Sequence, residues 1–117
     1  MAFAFEKLIV YQRVVEYDKI ATKYIKHVRK HDPNLADHIR RSGNSLLTYL
    51  GETISEDRPA MKANGYRVCK KEAEELGTAW EKVRREGWAP KAACDAMLAL
   101  LREVVLMLLS LIRRFDQ

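Results

Sequence analysis

A chain of 117 residues is long enough for one domain and too short for two, so residues 1–117 are read as a single unit. With 48% hydrophobic and 32% charged residues, the composition is that of a folded globular protein and excludes a disordered one. Lys and Arg outnumber Asp and Glu by 21 to 16, a net charge of +5 that suits an acidic partner such as nucleic acid without requiring one.

Only 5 Gly and 3 Pro leave few turns, and no segment alternates as a strand, so the chain is expected to be all-α. The opening MAFAFEKLIVYQR has no basic leader and no small-residue cleavage site, so no signal peptide is expected. The longest apolar run, Val104 to Leu109, is too short to cross a bilayer. These features lead us to expect a cytoplasmic protein with no membrane contact.

The first helix is expected from about Phe5 to His31. Val10, Val14, Tyr17, Ala21, Tyr24 and Val28 recur at steps of three and four and make one apolar stripe. Opposite it stand Lys19, Lys23, Lys26 and Lys30, flanked by Arg29. Four ammonium groups about 5–6 Å apart on one face approximate the spacing of backbone phosphates. A solvated surface is the plainer account of such a row. His27 and His31 share a face at i, i+4, but structural zinc needs four ligands and only Asp32 lies nearby, so no metal is expected.

HDPN ends this helix, with Asp32 or Asn34 as a cap and Pro33 suited to a first turn. The second helix is expected from about Leu35 to Ile54. Ser42 falls near its buried face and Gly43 at the edge. A mid-helix Gly costs about 1 kcal/mol relative to Ala, and close helix packing at Gly43 is the expected offset. Arg41, Ser45 and Glu52 form a polar stripe beside the core face, with Thr48 between them. Arg41 and Glu52 lie roughly 16 Å apart along the axis, so their partners are sought on another helix or subunit. Asp37, one turn before Arg41, is the local alternative. Arg40 points further out and suits a phosphate.

SEDRP opens a third helix, from about Ala60 to Glu86, whose apolar face carries Gly65, Cys69, Ala73, Leu76, Trp80 and Val83. GWAP then supplies a C-terminal Gly87 and a restarting Pro90. The fourth helix runs from about Lys91 to Phe115. Cys94, Leu98, Leu101, Val105, Leu108, Ile112 and Phe115 form one seam, and Met97, Leu100, Val104, Met107 and Leu111 a second. Together they cover about half the circumference, more than the roughly 100° a bundle helix needs. The second seam is therefore expected to contact another subunit, with deeper burial in its own bundle as the alternative. Cys69 and Cys94 sit at apolar helical positions and are expected as reduced, buried thiols. The short connections predict antiparallel neighbours and an up-down-up-down four-helix bundle.

Several segments carry a family resemblance: FEKLIVYQRV at the start, IRRSGNSLLTYLGE in the second helix, Glu75-Leu76 in the third, and LMLLSLIRRF at the end. In this order and spacing they resemble the bacterial four-helix-bundle family of 23S rRNA intervening-sequence proteins. A structural relative of that family is the accessory variability protein of diversity-generating retroelements. The family's second helix reads R-R-A-x-x-S-I-x-x-N-I-A-E-G. Arg40, Arg41, Ser45, Leu46, Leu50 and Glu52 agree with it, while Ser42, Tyr49, Gly51 and Thr53 replace its Ala, Asn, Ala and Gly. The resemblance implies a homo-oligomeric ring, typically a pentamer, with a basic surface for RNA or DNA, and docking to a reverse transcriptase or similar RNA-handling enzyme.

No Gly-rich phosphate loop, no nucleophile with a base and no inward Glu-x-x-His motif is present, so neither catalysis nor a cofactor is expected. The leading expectation is a non-enzymatic nucleic-acid-binding accessory protein. The alternative is a protein–protein scaffold whose basic faces meet an acidic protein.

Overall fold

Capping chemistry sets the helix boundaries in the computed structural model, which describes residues 8–116. Asp32 serves both sides of the first corner. Its N–H donates to the Val28 carbonyl at 2.8 Å, and its carboxylate accepts from the Leu35 N–H at 3.0 Å. Helix α1 therefore spans Ile9–His31, and α2 spans Pro33–Ser55 with proline in its first turn. The expected start of the first helix at Phe5 lies outside the described residues.

Helix α3 covers Pro59–Glu86 and α4 covers Lys91–Phe115. Between α2 and α3, Arg58 donates to the Glu56 carboxylate from both its backbone and its guanidinium. These bonds hold the Glu56 carboxyl down at about 2. Lys62 reaches back from α3 and donates to the carbonyls of Thr53 and Ile54 in the last turn of α2, the first of which also accepts from the Glu56 N–H. At the end of α3, Gly87 adopts φ 74°, a left-handed conformation that a Cβ would strain. Its N–H bonds the Arg84 carbonyl and the Trp88 N–H bonds the Val83 carbonyl, the paired pattern that closes a helix on glycine.

The described residues are all-helical, and the four helices form a bundle. Ion pairs fix the direction of α3 and α4: Arg67 meets Asp116 at one end, and Arg84 meets Asp95 at the other. Arg29 joins Asp37 across the α1–α2 corner, and Arg13 joins Glu103 across α1 and α4. Each helix thus packs on its neighbours in the chain, and α1 closes against α4.

The interior follows the predicted stripes. Val10, Val14, Tyr17, Ala21 and Val28 are buried from α1, and Cys69, Ala73, Leu76, Trp80 and Val83 from α3. Both cysteines are free and buried, and burial pushes the Cys69 thiol up to about 12. One contact crosses the core diagonally: the Trp80 indole N–H donates to the Tyr17 hydroxyl at 2.7 Å. Burial raises the Tyr17 hydroxyl well above the usual tyrosine value.

Two expectations need correction. Met97 and Val104, assigned to an intersubunit seam, are 0% exposed within the single chain. They belong to the bundle core, where neighbouring helices already cover them. Leu100, Met107 and Leu111 from the same seam are half-buried against that core. On α4 the outstanding exposed apolar residue is Leu106, at 65%.

The second correction concerns glycine. A Cβ at Gly43 would meet nothing within 4 Å, so no close packing offsets its cost. Close approach occurs at Gly65 instead, where a Cβ would lie 2.3 Å from the Thr53 hydroxyl. Thr53 stands where the resembled pattern carries glycine, and Gly65 supplies the space that its side chain fills.

Candidate nucleic-acid interface

The α1 stripe buries one face and turns the lysines outward. Lys19, Lys23, Lys26 and Lys30 are all exposed. The last lies eleven helical steps beyond the first, roughly 16 Å along the axis. None of the four forms an ion pair among the described residues, although ten such pairs join other charged groups. An uncommitted ammonium row can meet an anion without first breaking an internal contact.

Arg29 differs from the lysines beside it. Its guanidinium holds the Asp37 carboxylate at 2.7 Å, and this contact keeps the Asp37 carboxyl below the usual aspartate value. Arg29 therefore ties α1 to α2. Arg41 donates through Nε to the Asp37 carbonyl at 3.4 Å, so its partner lies one turn back on its own helix. Arg40 is exposed, forms no ion pair among the described residues, and shares a groove with Lys26 and Arg29. The polar stripe of α2 does not converge. Arg41 lies beside Asn34, Asp37 and Asn44, whereas Glu52 lies at the other end near Tyr11 and Thr48, and Ser45 between them is half-buried.

The groove between α1 and α2 encloses about 410 Å³. Tyr17, Ala21, Ile25, Ile39 and Gly43 form its apolar floor and walls. Asp18, Thr22, Lys26, Arg29, Arg40 and Asn44 contribute the polar groups. The Thr22 hydroxyl is occupied, donating to the Asp18 carbonyl at 2.8 Å. Asp18 carries a half-buried carboxylate that forms no ion pair among the described residues, and burial pushes its carboxyl above the usual aspartate value. Sequence periodicity gave no sign of this groove. The signal available was Gly43 itself, a helix-interior glycine with no packing partner.

The two histidines of α1 part company. His31 stacks on Trp88, with ring centroids 5.4 Å apart and planes at 2°. His27 lies beside Tyr24, and its Nδ1 is buried without a hydrogen-bond partner among the described residues. Among the described residues no group of three His, Cys, Asp or Glu side chains is placed to hold a metal. No helix there is long and apolar enough to cross a membrane. Comparison of the chain with protein-family models, curated proteins and solved structures gives no match.

Proposed function

We propose that this protein is a non-enzymatic, cytoplasmic accessory protein that binds RNA or DNA along α1. Lys19, Lys23, Lys26 and Lys30 contact successive phosphates, and Arg40 joins them from α2. The observation that carries the reading is the row of four exposed ammonium groups, extended by Arg40 on the next helix, none of which forms an ion pair among the described residues. Arg29 orients the corner through Asp37. The reading also includes a homo-oligomer, a ring of five by the family resemblance, in which the basic face repeats and modest contacts add by multivalency. In that assembly the protein docks a reverse transcriptase or another RNA-handling enzyme.

Phosphate contacts release counterions, so log affinity falls with log salt by about 0.7 per contact on single strands and about 0.9 on duplex DNA. Five contacts give a slope of roughly 3.5 to 4.5. Replacing the four lysines with Gln should flatten the slope and leave helicity and assembly size unchanged. A quadruple variant that binds like the parent at every salt concentration would remove α1 from the site. If the parent binds no nucleic acid even at low salt, a scaffold for an acidic protein becomes the better reading. Sedimentation equilibrium tests the assembly: a ring gives several times the 13.6 kDa chain mass, and a monomer refutes it.

A further inference from the structure

Phosphate binding leaves three features of the α1–α2 groove without a use. The first is Gly43. An interior glycine weakens a helix by about 1 kcal/mol relative to Ala, and here a side chain would point into open space. The absent side chain is what keeps the groove deep. The second is Asp18, whose carboxylate forms no ion pair among the described residues although Lys26, Arg29 and Arg40 line the same groove. A carboxylate repels phosphate, so it does not serve backbone binding. The third is shape. About 410 Å³ above an apolar floor falls within the range of small-ligand sites and exceeds what one phosphate needs.

We infer that the groove receives an unstacked guanine from a single strand whose phosphates lie along the lysine row. One flat face of the base rests on Ile25, the partly exposed apolar side chain of the groove, and the Asp18 carboxylate accepts from its N1–H and N2–H. An ionised carboxylate offers only acceptors. Guanine is the base whose Watson–Crick edge presents two adjacent donors. Adenine and cytosine each offer one donor beside an acceptor, and uracil offers one donor between two acceptors. Recognition of splayed single-stranded bases by their Watson–Crick edges is the usual route to sequence preference on RNA. Lys26 and Arg40, on opposite walls, neutralise the phosphates that flank the inserted base.

This inference rests on the phosphate-binding reading, and one experiment separates the two. Fluorescence anisotropy with labelled ten-nucleotide oligouridine strands carrying one central guanine, adenine or inosine measures both. Inosine keeps N1–H and lacks the N2 amino group. The guanine strand should bind roughly tenfold more tightly than the other two, the scale of one good bidentate base contact. Asp18→Asn should bring the guanine strand down to the affinity of the adenine strand. Gly43→Leu, which fills the groove, should do the same without lowering the melting temperature. Equal binding of all three strands with a normal salt slope overturns the guanine pocket and leaves the phosphate reading standing. A guanine preference that survives both substitutions also overturns it. No binding of any strand at low salt removes both.

Discussion

The α2–α3 seam is closed at a glycine, and the α1–α2 seam is open at one. Gly65 sits under Thr53 so tightly that even a methyl group would collide with the threonine side chain. Gly43 is also screened from bulk solvent, yet nothing stands within 4 Å of where its Cβ would be. The same residue type therefore serves opposite ends. At Gly65 it lets two helices approach and seals the bundle. At Gly43 it withholds a side chain and leaves a recess beside the basic surface. A glycine in a helix reveals its role through what surrounds the missing Cβ, not through its own cost.

The largest expected effect tests the closed seam. Gly65→Ala should destabilise by about 1–3 kcal/mol, the usual penalty of overpacking, as read by urea denaturation. Adding Thr53→Ala should recover part of that loss, because the two changes act on one contact. Independent, additive effects would show that the seam relaxes in some other way. Next comes the floor beneath the open groove. Tyr17→Phe strands the buried Trp80 indole N–H and should cost about 1–2 kcal/mol. An unchanged stability would mean that another acceptor reaches the indole.

Smaller again is Gly43→Ala. It should stabilise the protein by about 0.5–1 kcal/mol, since the helix gains and nothing is displaced. A loss at this position would show that the recess is not open. The smallest effect concerns the corner that joins the two groove helices. Arg29 holds the folded-state value of Asp37 below its unfolded one. The pair therefore contributes its stability above the unfolded aspartate value, near 4, and loses it as pH falls through the lower folded value. Acid unfolding of Asp37→Asn should run closer to that of Arg29→Gln than to the parent. Coincidence of all three curves would show that this solvent-exposed pair contributes nothing measurable.

The fold was legible because the signals are local. Steps of three and four placed the stripes, Asp32 and Pro33 marked one corner, and Gly87 and Pro90 another. The candidate site was only partly legible. The exposed lysine row followed from periodicity on α1, because a helix face can be read from one helix alone. The partner of Arg29 could not be read that way. Asp37 lies eight residues on, and only the reversal at Asp32 brings it within 2.7 Å. Met97 and Val104 were misplaced for a related reason. Periodicity gives the width of an apolar arc but not how much of it the neighbouring helices cover. The Tyr17–Trp80 bond spans 63 positions and leaves no trace in local pattern.

The two tryptophans also divide the molecule optically. Trp80 is fully enclosed, with its ring nitrogen bonded to a phenol. Trp88 is half-buried at the corner between α3 and α4, stacked on an imidazole with the Lys82 ammonium 5.4 Å from its ring. An aqueous quencher such as iodide meets the second indole long before the first. Its emission thus reports the loosening of one end of the bundle while the enclosed indole still reports an intact interior. Without any added label, the chain distinguishes fraying from collapse by the colour and accessibility of its own fluorescence.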